Sequence, residues 1–501
     1  MSGYLNVVTF VLIAATAVLY LSGRAFATKT RSKLSHIPSI TTTLPFFSTL
    51  AALRFVLNGR EMIQEGYEKF KGGAFRIPEL LWWRVIVTGP QMVEEMRKLP
   101  DDVLGVTEAH EEILQVDYTM SPAIRKNPYH IETIRNQLTK NVSVRFPDLQ
   151  DEIVVSCNDL IPPTNDWSAV MILPAMMQVT CRAANRVFVG LPTCREPDYI
   201  DLNIQFTVET IKSAAILQMI PRRLKHFVAR HFTNIHSNIR RGVKHLGPSI
   251  RARLASINKY GDDWPGKPND MISWLLEGAE DEEREVPALV LRLLLLNLSA
   301  IHTSSITITH ALLHLAANPA YLQPLREEIE TVVAKDGWTR AGIQKMRKLD
   351  SFLMESSRLH GIGSVSLLRR AVQDFTFSNG TFVPAGTFIS AASWPVHHDK
   401  EYYEDPDMFM PWRFAGGDDD SEGRTQQMTN TSRDYLTWGY GKHACPGRFF
   451  AVTELKAVLA HLIVHYDMKL EQEGVIPKDM VFSTAIVPDP EAKVLFRKRG
   501  L

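Results

Sequence analysis

The sequence predicts a mainly α-helical protein with a small β-rich subdomain, carried behind one N-terminal transmembrane helix. Three observations lead there. From about residue 128 to 360 the chain is built of long amphipathic segments, punctuated by helix breakers at Gly190-Leu191-Pro192, Gly247-Pro248 and 262–269. Strand patterns appear in short stretches at 74–78, 83–88 and 371–390. Residues 2–23 hold no charged side chain, and 7–21 is almost wholly apolar, enough at helical rise to cover the hydrocarbon core of a bilayer.

The apolar N-terminal run reads as a membrane anchor, residues 1–23. A cleaved signal peptide is the rival, since Ala25-Phe26-Ala27 has a small-x-small form, but the run is longer than a signal core and no Lys or Arg precedes it. Arg24, Lys29, Arg31 and Lys33 follow it, so the positive-inside rule keeps the rest of the chain cytosolic. A basic, proline-bearing linker over 24–50 leads into a catalytic domain over 51–501. Residues 60–70 are helical in pattern, and the strands at 74–78 and 83–88 close on Gly89-Pro90 as a small sheet. Residues 129–144 form an amphipathic helix. The stretch 287–318 is a long apolar helix stopped by Pro319 and suited to crossing the centre of a large domain. Another helix runs from 350 to 361. Phe375, Phe377, Phe382 and Val383 flank a turn at Ser378-Asn379-Gly380, and the polar run 416–433 is a surface insertion.

A chain of 501 residues, 45% apolar, accommodates one large core or two to three domains. With 56 basic against 55 acidic residues and no dense Lys/Arg run, nothing points to a nucleic-acid partner. The four cysteines, Cys157, Cys181, Cys194 and Cys445, show neither disulfide density nor a CxxC zinc pattern and fit a reducing compartment. No strand–GxGxxG–helix unit is present, so the chain has no nicotinamide or flavin domain of its own.

The most informative stretch is Trp438-Gly-Tyr-Gly441-Lys-His443-Ala-Cys445-Pro446-Gly447. Gly441 and Gly447 can take backbone conformations closed to other residues, which lets the loop fold around a sulfur and point N–H groups at it. Pro446 suits a first helical position, and Val452, Leu455, Leu459 and Leu462 continue with the spacing of one helix face. Cys445 then lies at a helix N-terminus, where the dipole favours thiolate and hence metal ligation. The competing reading of a lone cysteine is a small buried hydrophobe.

This segment resembles the haem-binding signature of the cytochrome P-450 family, Phe-x-x-Gly-x-x-x-Cys-x-Gly, with Trp438 in place of Phe. The resemblance implies haem b with Cys445 as the axial thiolate ligand of the iron, Gly441 and Gly447 shaping the loop, and Trp438 shielding the sulfur while adding an indole N–H. It also implies that His443 meets a haem propionate, with Arg135 and Arg370 as further propionate partners. Trp is missing from the usual place near Arg135, where Ile131 stands. Glu355 and Arg358 resemble the family's Glu-x-x-Arg helix, and Phe409-Met-Pro411-Trp-Arg413-Phe414 its later Phe-x-Pro-x-Arg-Phe segment. Together Glu355, Arg358 and Arg413 are expected as a buried structural network. Similar Glu-x-x-Arg pairs at Glu94–Arg97 and Glu132–Arg135 read as solvated surface contacts. Ser299-Ala300-Ile301-His302-Thr303-Ser304 resembles the oxygen-activating stretch, with catalytic Thr303 holding a water and His302 standing where the family often has an acid.

The implied activity is that of a membrane-anchored haem-thiolate monooxygenase. It would sit in the endoplasmic reticulum membrane by a single pass, with its catalytic domain cytosolic. It would use O2 and electrons from an NADPH-dependent flavoprotein reductase to hydroxylate a bulky apolar small molecule. His130-Ile-Glu-Thr-Ile-Arg and Val189-Gly-Leu-Pro-Thr-Cys-Arg look most like fungal enzymes of terpenoid and other secondary-metabolite pathways. Ile301, Val365, Leu367 and Ile486 are expected to line the pocket. A haem-thiolate isomerase or dehydratase acting without oxygen, which His302 would permit, and a haem-binding protein without turnover are the alternatives.

Overall fold

The computed structural model describes residues 33–41, 45–416 and 426–500. The anchor segment 1–23, part of the linker and the middle of the 416–433 insertion lie outside them. The described chain is mainly helical, and its organising element is the 32-residue helix Val286–Ala317. Pro287 occupies its first turn, where the missing N–H costs nothing, and Asn318-Pro319 ends it. Because it is apolar on nearly every side, it is stable only inside a core. Helices Ile172–Phe188, Pro197–Met219, Ile235–Tyr260, Arg347–Leu359 and Arg448–His465 pack around it. It is long and apolar enough to cross a membrane by composition, but most of its side chains from Leu289 to Ala316 are buried within the domain.

Five strands form one sheet in the order Ala74–Pro78, Trp83–Val87, Phe388–Ala391, Ser366–Ala371, Leu104–Gly105, and Ser168–Met171, Lys493–Lys498 and Tyr466–Leu470 form a second. Only the pairing of Trp83–Val87 with Phe388–Ala391 is parallel. The first two strands are buried along their whole length, which is why they read as apolar runs and not as alternating patterns. The hairpin at Phe375–Thr376 and Phe382–Val383 forms around Gly380 at φ +84. The first sheet brings the strand Ser366–Ala371 and Asp101 close to His443.

Three elements depart from the sequence reading. Pro248 does not break a helix, because Ile235–Tyr260 continues through it, and Pro147 likewise sits within Thr139–Leu160. Burial of Gly242, Leu246, Gly247 and Ile250 along one face outweighs the lost backbone bond. The helix expected at 129–144 is Tyr129–Thr133 followed by a π-helical turn at Ile134–Leu138, and it then runs on to Leu160. The first described helix, Pro45–Lys69, begins ahead of the expected domain boundary at residue 51 and carries a non-helical residue at Asn58.

Candidate active site

A cavity of about 280 Å³ opens between the central helix, the Arg448–His465 helix and the loop before it. Cys445 lines it. The loop is closed by a bond from the Cys445 N–H to the Trp438 carbonyl at 2.8 Å. Gly441 needs its glycine twice: its φ is +79, and an added Cβ would fall 2.2 Å from Arg97 Cγ. Arg97, read from sequence as half of a surface pair, thus props the loop from outside.

Two expectations about this loop are corrected. Gly447 has φ −86 and serves as the residue capping the helix, so it uses no left-handed freedom; Gly439 at φ +73 does instead. The helix begins at Arg448, which puts Pro446 ahead of the first turn. Nor does the helix terminus alone make a thiolate. Burial pushes the Cys445 thiol up, against the N–H groups of Gly447 and Arg448 and the charge of Arg448. A bound cation is what deprotonates such a sulfur. The indole N–H of Trp438 donates to the Met428 carbonyl at 2.6 Å, which commits it to the backbone.

The second wall is a stripe on the central helix: Ser299, Thr303, Thr307 and His310 all line the cavity. The Thr303 hydroxyl donates to Ser299 O at 2.8 Å within an unbroken helix, leaving its oxygen lone pairs to accept. His302 is not part of this wall. One residue along a helix is about 100° around it, and the His302 ring turns to the neighbouring helix, its Nε2 lying 3.0 Å from Ile204 O. Burial lowers its pKa. The catalytic expectation for His302 therefore fails on helix phase. The pocket expectation fails similarly: Ile301 packs with Cys181 and Ile200, Leu367 and Val365 belong to the sheet-side cores, and Ile486 lies off this wall, whereas Ile362, Met428 and Leu455 line it.

Glu355, Arg358 and Arg413 come together. Arg358 Nε and Nη2 grip the Glu355 carboxylate at 2.7 and 2.9 Å, and Arg413 Nε lies 3.1 Å from both of its oxygens. Glu355 and Arg358 have fully buried side chains. The two guanidinium groups also bond the carbonyls of His397, Glu404, Asp405, Pro406 and Met408, so the network clamps the chain that runs toward the cysteine loop.

The basic residues divide differently from expectation. His443 lines the cavity, with Nε2 2.6 Å from Asp101 Oδ1, and burial lowers its pKa despite that carboxylate. Arg135 is part-exposed, donating to Lys442 O at 2.9 Å and pairing with Glu132; it braces the loop without lining the cavity. Arg370 points to the open side of the sheet, 3.3 Å from Glu112. Its neighbour Arg369 is the buried member of the alternating strand, 5% exposed, with Asp101 and His443 near enough to interact electrostatically. Burial lowers its guanidinium to about 10. Neither arginine lines the cavity; Arg369 is the buried one, close to Asp101 and to the cavity-lining His443, and the alternation of Ser366–Ala371 was the signal that distinguishes the two.

Glu454 was also missed. It is buried within the Arg448–His465 helix, and burial raises its carboxyl to about 8 against a hydrogen bond from Ser304 of the central helix. The donor set fits a haem: a lone sulfur on the cavity wall met by two backbone N–H groups, small residues on the facing helix, and the His443 imidazole on the same lining.

The comparisons agree with this chemistry. The family model "Cytochrome P450" matches residues 38–496. "Cytochrome P450 monooxygenase 110" of Postia placenta is 42% identical over 493 residues, covering 98% of this chain and 97% of that protein. "Cytochrome P450 monooxygenase CYP512U6" of Ganoderma lucidum is 37% identical over 471 residues, covering 93% and 92%. Among solved structures, "Retinoic acid bound cyanobacterial CYP120A1" is similar at a TM-score of 0.69 and 21% identity, covering 92% of this chain and 99% of that one, a likeness of fold.

Proposed function

Because the chain belongs to the cytochrome P-450 family, we propose that it is a membrane-anchored monooxygenase that hydroxylates a bulky apolar small molecule of the terpenoid or related secondary-metabolite class. The coarser statement stands on the family: the protein is a P-450 monooxygenase with haem b on the Cys445 thiolate, using O2 and electrons from a redox-partner reductase. When bound, the haem supplies oxygen activation, with the thiolate's electron density favouring O–O cleavage.

The chain's own residues do the rest. The loop between Trp438 and Gly447 holds the sulfur, braced outside by Arg97 and Arg135. Thr303, its hydroxyl proton already given to Ser299 O, accepts from a water in the cavity and so positions a proton donor there. His443, which lines the cavity, offers a hydrogen-bonding partner for a carboxylate there, with the buried Arg369 charge behind it.

The observation that carries the substrate class is that no Asp, Glu, Lys or Arg is among the residues lining the cavity. A charged substrate would find no counter-charge there, whereas an apolar one meets Ile362, Met428 and Leu455. The fungal relatives and the sequence phrases around His130 and Val189 support the secondary-metabolite reading. Anchorage in the endoplasmic reticulum membrane, catalytic domain cytosolic, is supported by the charge-free run 2–23. The exposed apolar set Ile211, Ile216, Met219, Leu224, Phe227 and Phe232 beside Arg222 and Arg223 offers a second membrane contact. An NADPH-dependent flavoprotein is the proposed reductase. The isomerase alternative rested on His302, whose ring is turned away, and nothing else favours it.

The test is co-expression with an NADPH reductase and feeding of terpenoid and polyketide precursors under labelled O2, read by mass spectrometry. The expected product carries one labelled oxygen atom. A product formed equally without O2 or reductase would overturn the reading.

A further inference from the structure

Monooxygenation reduces one atom of O2 to water and so consumes protons as well as electrons. The cavity lining holds no carboxyl to supply them, and the His302 ring is turned away to Ile204 O. One carboxyl stands just behind that lining. Ala451 and Leu455 both line the cavity, and Glu454, three residues after the first and next to the second, lies toward the side of the Arg448–His465 helix that they share. Glu454 is 1% exposed. From the facing central helix the Ser304 hydroxyl, which does line the cavity, hydrogen-bonds to its carboxyl.

Glu454 is unlike the other buried acids. Glu152, Asp270, Asp350, Glu355 and Asp399, the rest of the buried carboxyls among the described residues, each pair with an Arg or a Lys. Glu454 has no such partner among the described residues, and its Oε1 accepts no hydrogen bond from any of them. The titratable group that reaches it from the other helices packed on Arg448–His465 is the Cys181 thiol, which burial pushes up and keeps neutral. A lone carboxylate in such a place would bear its full desolvation cost, so burial holds the group as the neutral acid, raised to about 8. This carboxyl contributes no ion pair to the fold; what it holds there is a proton.

We propose that Glu454 supplies a proton for oxygen activation, passing it through Ser304 to the cavity water that Thr303 positions. This role rests on the water-positioning role of Thr303. The two hydroxyl residues are adjacent on the central helix and both line the cavity, so both hydroxyls reach the same space. A serine hydroxyl donates and accepts at once. Glu454 gives its proton to Ser304 Oγ, and Ser304 gives its own hydroxyl proton to the water. The carboxylate left behind takes a proton back from cavity water between turnovers, so the cycle closes without any further reactant. A proton donor is most efficient when its pKa lies near the working pH, and a carboxyl reaches that range only where its surroundings disfavour the charge, as they do here.

The test pairs infrared difference spectra of the full-length holoenzyme across a pH titration, which need no turnover, with reductase-driven turnover of the precursor that gives the labelled product. Wild type shows a protonated-carboxyl C=O band at neutral pH that fades as pH rises through about 8, and Glu454→Gln lacks it. Over the same pH range wild-type product formation falls while reductase electrons divert to hydrogen peroxide. Glu454→Gln is uncoupled throughout that range, with product down ~10²–10⁴-fold, and Ser304→Ala uncouples while keeping the band. The carbon monoxide spectrum of each variant reports that it has folded with its haem. Thr303→Ala separates the two roles: coupling lost in Glu454→Gln but kept in Thr303→Ala removes Thr303 and leaves the acid, whereas the reverse removes the acid. No such band in wild type, or Glu454→Gln with wild-type coupling and pH profile, would overturn the proposal.

Discussion

Removing Glu355 strands two arginines. Arg358 has a fully buried side chain and Arg413 is one-tenth exposed, and both direct their Nε at the same carboxylate. Breaking a buried ion pair from one side costs about 3–5 kcal/mol, because the remaining charge keeps its desolvation penalty. Glu355→Ala is therefore expected to lose about that much against a total stability of roughly 5–15 kcal/mol. Part of the loss should return when Arg413 is also removed: the double variant Glu355→Ala/Arg413→Ala should cost less than the sum of the singles by ~0.5–3 kcal/mol. Recovery cannot be complete. Arg358 stays unpaired, and Arg413 also holds the carbonyls of Glu404, Asp405 and Met408. The assay is urea unfolding of the detergent-solubilised full chain, followed in parallel by helix signal and haem absorbance. Strict additivity, or single variants as stable as wild type, would refute the network as the clamp on the cysteine loop.

Thr303→Ala should leave the carbon monoxide spectrum intact while product formation falls, by ~10²–10⁴-fold if the threonine is the sole proton-delivery group, with reductase electrons appearing as hydrogen peroxide. His302→Leu should stay coupled, since its ring serves the contact with Ile204; equal uncoupling in both would contradict the assignment. Trp438→Phe should destabilise by about 1–3 kcal/mol by leaving the Met428 carbonyl unpaired, with the haem reduction potential unmoved; a clear potential shift would show that the indole acts on the sulfur. Burial holds His130, His310, His398 and His461 down to about 4 and His397 to about 3, from an ordinary 6.5. Below 6.5 the unfolded chain binds more protons, so their contribution is present above that pH and is lost as pH falls toward 4, by ~1.4 kcal/mol per pH unit for each histidine. A flat urea midpoint between neutral pH and about pH 5 would contradict this.

How far the sequence reached depended on whether the physics was local. The cysteine loop, the central helix and the short strands were legible because Gly, Pro and apolar periodicity act within a few residues. Motif order brought Glu355, Arg358 and Arg413 together although Arg413 lies 58 positions after Glu355. What failed was orientation. Whether His302 or its neighbour Thr303 faces the cavity depends on where the helix meets Pro197–Met219. Whether Arg369 or Arg370 is buried depends on which face of the strand is covered. Pro248 misled because its cost is local while the packing that offsets it is not. The meeting of Glu454 with Ser304 joins two helices distant in sequence, with no spacing to announce it.

The most direct measurement is the spectrum of the reduced, carbon monoxide-bound protein in wild type and Cys445→His. Wild type should show the red-shifted Soret band that thiolate ligation produces and that gives the family its name, and the histidine variant should lose it for the band of imidazole-ligated haem. A red-shifted band that persists in Cys445→His would mean that another residue holds the iron and that the cavity described around Cys445 is not the active site.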